Sequence, residues 1–177
     1  MKAMIQIALL AGLAICESAC ANAASSANPL DAIPDKLPFD VPYGEPVSLA
    51  RAQTAVAAAV AEAEKHGWPL NVAVLDSGAN LIAFARMDGA QLASIAISQH
   101  KARTAVKFRR PTKVFEEAVQ NNDLRYLFTF DDIFTSRGGI PLIEHGKLIG
   151  AIGCSGGTGS QDEAACLAGA GTINKID

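Results

Sequence analysis

Two aspartates and one lysine are the side chains of this sequence best suited to acid–base chemistry. Asp76 ends a predicted strand, Lys101 lies within a predicted helix, and Asp162 follows a glycine-rich loop. One hypothesis is therefore a metal-free enzyme acting on a small molecule between that loop and the helix, with Asp76 or Asp162 as base and Lys101 stabilising an oxyanion. The alternatives are structural: an aspartate before a glycine turn commonly binds the turn backbone, and Lys101 fits a solvated helix face.

Histidine is the other residue type that could do chemistry, and the chain has three. His66 lies in the last turn of a predicted helix, where the helix dipole favours a cation, and His145 lies at a predicted hairpin tip. His100 is in the middle of a helix beside Lys101, which makes it the candidate metal ligand; the alternative is a solvated or core histidine. The sequence has no His-x-x-x-His or Cys-x-x-Cys pair, so a dedicated zinc site is not expected.

A glycine-rich loop joins a predicted hairpin to the last predicted helix. Its glycines are Gly153, Gly156, Gly157 and Gly159. Uncovered backbone amides would let a ligand approach closely, so the loop is either a pocket wall or a flexible connector. It lacks the Gly-x-Gly-x-x-Gly frame of dinucleotide sites and the Lys-Ser/Thr of phosphate loops. Ser160 and Glu163 fit a capping box at the start of the helix.

Helix and strand signals along the chain follow the order helix, two strands, two helices, two strands, helix. The predicted helices cover about 49–66, 91–108, 112–122 and 161–173, and the predicted strands cover 70–76, 81–86, 141–144 and 147–153. This order gives two hairpins without a βαβ crossover, which predicts an α/β (α+β) fold with an antiparallel sheet flanked by helices. Residues 124–137 are rich in aromatic side chains without a clear period, so no element is assigned there.

The first residues have the pattern of a secretory signal peptide. Lys2 precedes an apolar run over 5–15, and Ala21-Asn22-Ala23 gives the small-x-small pattern of a cleavage site. The apolar run is too short to span a membrane, so we expect a signal peptide over 1–23 and a periplasmic or secreted protein. Residues 24–47 contain regularly spaced prolines and predict an extended arm, either a loose tether or a strap on a neighbouring subunit. The folded domain then covers 48–177.

The composition limits the classes of partner. Half of the residues are hydrophobic and 19% are charged, which suits a globular core. The formal net charge is -3 and no basic stripe is present, so nucleic acid is not expected as a partner. Cleavage of the signal peptide leaves Cys154 and Cys166, which could pair in an oxidising compartment or remain two buried small side chains.

Three blocks of sequence resemble a known family. They are VAVLDSGANLIAFARMDGA (72–90), KARTAVKFRRPT (101–112) and GGIPLIEHGKLIGAIGCSGGTGSQDEAACLAGA (138–170). In this order they are similar to the GlcG/HbpS or haem-degrading domain family, which includes the C-terminal domain of the adenosyltransferase PduO. The resemblance implies a profilin-like sandwich that assembles into homo-oligomers. For exported members it implies haem or tetrapyrrole binding linked to haem degradation or redox sensing, and the remaining alternative is a non-catalytic oligomeric accessory module.

The resemblance also implies site residues. The positions that match the family motifs are Asp76, Gly78, Arg86, Met87, Asp88, Lys101, Thr104, Pro111, Gly138, Gly139, Pro141, Gly150, Gly153, Ser155, Gly156 and Asp162. Haem iron needs an axial ligand such as His, Met or Tyr, and the candidates here are His100, Met87 and Tyr126, in that order. The porphyrin would lie against the second helix and the aromatic segment, with Lys101 or Arg103 holding its propionates.

Overall fold

The computed structural model describes residues 32–37 and 39–174 of the chain. The predicted signal peptide over 1–23 lies outside the described residues, as does the start of the predicted arm. Residues 32–36 belong to a separate unit, are exposed and form no helix or strand. Every described helix and strand belongs to the unit that starts at Leu37. No helix within the described ranges combines the length and apolar character needed to cross a bilayer.

An antiparallel sheet with helices on both faces forms the described domain, which confirms the predicted fold class. The helices are α1 (Leu49–His66), α2 (Ala93–Phe108), α3 (Lys113–Asn122) and α4 (Gly159–Ala170), with a 3-10 helix at Arg125–Thr129. The strands are β1 (Asn71–Asp76), β2 (Leu81–Arg86), β3 (Gly139–Glu144) and β4 (Lys147–Ser155). Their spatial order is β2-β1-β4-β3, and all three pairings are antiparallel.

Successive side chains of the central strands β1 and β4 point to opposite faces of the sheet, so each face packs against its own layer of helices. Val72, Val74 and Ile152 lie in a buried cluster with α1 and α4, whereas Ala73 and Leu75 pack with α2 on the opposite face. Small residues let the helices approach closely: a Cβ added to Gly153 would lie 2.0 Å from the Ser98 carbonyl oxygen of α2. Any side chain at position 153 would therefore push α2 away from the sheet.

The start of α4 differs from the prediction. The helix begins at Gly159 with Thr158 as N-cap, and the capping box joins Thr158 to Gln161 instead of Ser160 to Glu163. The Gln161 side chain accepts from the Thr158 amide at 2.8 Å, and the Thr158 hydroxyl accepts from the Gln161 amide at 3.4 Å. Because the helix starts two residues early, Glu163 is left to make ion pairs elsewhere.

The second half of the predicted arm lies on its own domain rather than hanging as a loose tether. The Leu148 amide donates to the Pro42 carbonyl, and the Gly44 and Val47 amides donate to the carbonyls of Leu148 and Ile149, all within 2.9 Å. The Tyr43 hydroxyl also donates to the Lys107 carbonyl at 3.0 Å. We call residues 39–47 the strap.

The aromatic segment covers α2. Beyond the 3-10 helix, the buried Thr104 hydroxyl donates to the Asp132 carbonyl at 2.6 Å and accepts from the Phe134 amide at 2.9 Å. Lys107 forms an ion pair with the Asp132 carboxylate. The segment is thus fixed to the outer side of α2 by one buried hydroxyl and one surface ion pair.

Candidate functional site

Two of the three acid–base candidates meet at one end of the sheet. Lys101 of α2 and Asp162 of α4 form an ion pair of 2.7 Å, and their side chains are only 2% and 4% exposed. The second Asp162 oxygen accepts from the Gly157 amide at 3.0 Å. The pair therefore joins the two helix layers around the end of the sheet and is shielded from solvent.

Two glycines at the start of β3 leave room for this pair. Gly138 has a φ of 111°, and a Cβ there would lie 2.8 Å from the Asp162 Cβ and 3.1 Å from the Lys101 Nζ. A Cβ at Gly139 would lie 2.3 Å from the Lys101 carbonyl oxygen. Both glycines were expected to contact a cofactor; in the structure Gly138 borders the ion pair, and Gly139 lies against the Lys101 backbone and Thr112.

The glycine-rich loop binds the protein's own carboxylate. Asp162 follows the loop by one turn of helix, and its carboxylate accepts hydrogen bonds from the loop backbone. Burial raises the pKa of the Asp162 carboxyl, and the Lys101 ammonium with the loop amides opposes that rise without cancelling it. In this arrangement the Gly157 amide is used internally, so it is not offered to the oxyanion of a substrate.

Asp76 lies far from the other two candidates. In the register of β1 and β4, Asp76 is opposite Gly150, whereas Val72 is opposite Cys154, which borders the ion pair. Four residues of strand separate these positions by about 13 Å. The Asp76 carboxylate accepts from the amides of Gly78 at 2.8 Å and Asn80 at 2.9 Å. It stabilises the β1–β2 turn, and the structure does not bring it to Lys101.

A second group of charges surrounds the buried pair and was missed by sequence reasoning. The Arg137 side chain donates to the Glu116 carboxylate at 2.7 Å, and the Arg137 backbone amide donates to the same carboxylate at 2.7 Å. The Arg137 guanidinium also lies 3.5 Å from the Glu163 carboxylate. Lys113 reaches Glu163 at 3.7 Å. Lys113 and Glu116 share α3, but Arg137 precedes β3 and Glu163 lies in α4, and no local spacing relates these three segments. The one signal available was Arg137 directly before Gly138.

Glu116 makes the stability of this region depend on pH. Burial raises the pKa of the Glu116 carboxyl, but hydrogen bonds from Arg137 outweigh burial and hold it below its usual 4.5. The stability that the ionised Glu116 carboxylate contributes is therefore fully present above its unfolded-state pKa. It is lost as the pH falls through the lower pKa of the folded state. We expect the free energy of unfolding, measured by urea denaturation between about pH 5 and pH 3, to fall more steeply for the wild type than for Glu116→Gln.

Glu117 provides the matched control for this experiment. It is exposed and neighbours Glu116 in α3, so Glu117→Gln should keep the wild-type slope. Asp162, whose pKa is raised, changes the free energy of unfolding in the opposite direction as the pH falls. Because the wild type and both variants keep Asp162, the difference between their slopes against pH reports Glu116 alone. Equal slopes for Glu116→Gln and wild type would contradict the assignment.

The three candidate iron ligands occupy separate places. His100 is exposed on α2, with its ring centroid 6.3 Å from that of Phe134. Met87 is half-buried beside the α1 layer, where its sulfur accepts from the Leu70 amide at 3.4 Å. Tyr126 is 45% exposed on the 3-10 helix, and its ring lies 6.0 Å from that of Phe130. No single small ligand site unites these three side chains.

The remaining predicted binding residues divide by exposure. Thr104, Ser155, Gly138 and Gly139 are buried, and the Ser155 hydroxyl donates to the Ser94 hydroxyl at 3.0 Å. Gly156 is half-buried, and a Cβ there would lie 2.4 Å from the Pro69 carbonyl oxygen. Arg103, one turn after His100 and half-buried, forms no ion pair with any residue that the structure describes. Across residues 32–37 and 39–174, no cluster of His, Cys, Asp and Glu could hold a metal ion alone.

Comparison with known proteins agrees with this architecture. The family model described as haem degrading protein HbpS-like matches residues 47–171. Protein GlcG of Escherichia coli K12 is 42% identical over 110 residues, which cover 62% of this chain and 81% of the relative. A second match, an uncharacterised 15.0 kDa protein of Citrobacter freundii, is 39% identical over 119 residues, covering 66% of this chain and 84% of the relative.

Solved structures share the fold. The crystal structure of HbpS superposes with a TM-score of 0.70 at 30% identity, covering 81% of this chain and 99% of that one. The crystal structure of a PduOC–haem complex superposes with a TM-score of 0.66 at 28% identity, covering 73% of this chain and 96% of that one. Family model, relative and fold agree with the motifs of the sequence, and the chain belongs to the HbpS-like family.

Proposed function

We propose that the protein binds haem or a related tetrapyrrole on the outer face of α2, with His100 as the axial ligand. The observation that carries the proposal is an exposed imidazole in the middle of α2 beside the ring of Phe134. The family description and the haem-bound PduOC structure support the choice of ligand. Haem degradation and redox sensing are the finer roles that we propose for such a complex.

The residues around His100 fit a tetrapyrrole. An imidazole is a common axial group for haem iron, and Phe134 offers an aromatic ring next to it. Arg103 lies one helical turn away and can pair with a propionate. Lys101 cannot do so without leaving Asp162, so of the two predicted propionate partners only Arg103 fits. Bound iron would supply the redox chemistry, and the chain would supply the ligand and the charge.

A hemin titration tests the proposal. We expect wild-type protein to give a saturable Soret band at stoichiometric ratio, and His100→Ala to lose it because the axial ligand is removed. His66→Ala is the matched control, since His66 is another exposed helical histidine, stacked on Trp68 with ring centroids 4.3 Å apart. Met87→Leu and Tyr126→Phe should also keep the band.

Other outcomes have defined meanings. A saturable band that survives His100→Ala but disappears in Met87→Leu or Tyr126→Phe would keep haem and overturn the ligand assignment. Weak, unsaturable binding by the wild type would overturn haem binding altogether. It would then favour an accessory module without chemistry of its own.

We also propose that the protein is exported, with cleavage after Ala23. The Cys154–Cys166 disulfide supports an oxidising compartment, because disulfides persist there and are rare in the cytosol. N-terminal sequencing of protein recovered from the periplasm or the medium tests this. A mature chain that still begins at Met1 would contradict the proposal.

We further propose that copies associate through β2. This edge strand has no partner on its outer side among the described residues, and it exposes Leu81 and Phe84 at 49% and 36%. We expect Phe84→Glu to lower the mass measured by light scattering, while Leu92→Glu, which alters an exposed leucine outside the sheet, leaves it unchanged. A monomeric wild type would contradict the proposal.

A further inference from the structure

A cavity of about 420 Å³ lies beside β3, next to the C-terminal end of α2. Its lining residues are Arg109, Arg110, Pro111, Val114, Ile140, Pro141, Ile143 and Asn174. Two adjacent cations thus border a wall that is otherwise mostly aliphatic. Arg110 is ten residues beyond His100, about 15 Å along a helical path, so the cavity is separate from the haem site proposed above.

The two arginines are not equivalent. Arg109 is held by the strap: its Nη1 donates to the Val41 carbonyl at 3.1 Å, and its guanidinium lies 5.6 Å from the Tyr43 ring centroid. Arg110 donates through Nε to the Phe108 carbonyl at 3.2 Å, and its guanidinium lies 4.0 Å from the Phe39 ring centroid. Its terminal nitrogens form no hydrogen bond with any residue in the described ranges.

No carboxylate of the described chain compensates these charges. Neither Arg109 nor Arg110 takes part in an ion pair within residues 32–37 and 39–174, although both are half-buried. Burial lowers the pKa of the Arg110 guanidinium, and the charge of Arg109 lowers it further. An anion bound by the free end of Arg110 would relieve this repulsion.

The edge of β3 argues against a peptide as the occupant. Pro141 has no N–H to donate, and its carbonyl already accepts from the Asn174 side chain at 2.9 Å. The Ile143 amide donates to the same side chain at 2.8 Å. Because these backbone groups are already paired, an added strand would find few partners here. The cavity volume instead falls in the range of small-molecule sites.

We propose that this cavity binds a small amphipathic carboxylate. The carboxylate pairs with the terminal nitrogens of Arg110, in the planar two-bonded geometry that guanidinium groups favour. A short apolar chain packs against Val114, Ile140 and Ile143. Arg109 adds charge and, through its bond to the strap, holds one rim of the cavity.

Calorimetry with hexanoate as the probe tests this site, and acetate and hexylamine serve as controls. We expect saturable binding of hexanoate, much weaker binding of acetate because it lacks the apolar chain, and no binding of hexylamine because its charge is opposite. Arg110→Met should weaken hexanoate binding by about tenfold or more, the loss expected for a hydrogen bond to a charged group. Val114→Phe should weaken it as well by filling the cavity.

Two further variants distinguish binding in this cavity from a general effect of net charge and from binding at the haem site. Arg125→Met makes the same change in net charge at an exposed position, so it should leave hexanoate binding unchanged. His100→Ala should do the same, because it alters only the haem site. Absence of saturable hexanoate binding would overturn the proposal, and so would binding that survives both Arg110→Met and Val114→Phe.

Discussion

Lys101→Met is expected to lower the free energy of unfolding by about 3–5 kcal/mol, the cost of leaving a buried charge unpaired. The Lys101 and Asp162 side chains are 2% and 4% exposed, so water cannot replace the lost ammonium group without opening the domain. Methionine keeps most of the length of lysine, which limits the cavity contribution. Urea denaturation followed by circular dichroism gives the measurement.

Two companion variants make this test specific. Lys113→Met removes a lysine that is 42% exposed and whose ammonium lies 3.7 Å from the Glu163 carboxylate. This variant should therefore lower the free energy of unfolding by about 1 kcal/mol or less. Combining Lys101→Met with Asp162→Leu should recover much of the lost stability, because no charge is then buried without a partner. A loss below about 1 kcal/mol for Lys101→Met alone would show that the pair opens to water.

Loss of the Cys154–Cys166 disulfide is the second large effect expected. The two Cα atoms lie 5.6 Å apart and the cysteines are separated by 12 residues, and a loop of this size stabilises the folded state by about 3 kcal/mol in the chain-entropy description. We expect the double variant Cys154→Ala, Cys166→Ala to unfold at correspondingly lower urea concentration. Both cysteines are fully buried, so alanine also removes some packing.

A reducing agent provides the control within the same protein. Dithiothreitol added during unfolding should lower the midpoint of the mature wild-type chain towards that of the double variant. It should leave the midpoint of the double variant itself unchanged. If reductant does not alter the wild-type midpoint, the cysteines are unpaired in solution.

Local pattern was sufficient for most of the fold. The predicted range 49–66 for the first helix matches α1, and the predicted strand ranges correctly placed both hairpins. The capping box was wrong because Thr158 and Ser160 both fit the motif, and the local sequence does not choose between them. Such a choice depends on contacts that a local window does not contain.

The candidate site was harder to predict for the same reason. Lys101 and Asp162 were each identified, but 61 residues separate them, and nothing in either segment indicates that they are buried together. Glu116 and Arg137 were not identified, because a glutamate in a helix and an arginine before a glycine look like surface residues. Asp76 was proposed as a base, yet its turn role was equally visible in the sequence.

The strap has a consequence for how the domain can be cut. Residues 42–47 run beside the first part of β4, in the place that β1 would occupy if it were longer, and so serve as a substitute strand. A fragment that starts at Ser48 would leave the Leu148 and Ile149 backbone without these partners. It would create an open sheet edge next to the hairpin. Expression boundaries chosen upstream of Phe39 keep that edge closed and keep the aromatic ring that stacks on Arg110.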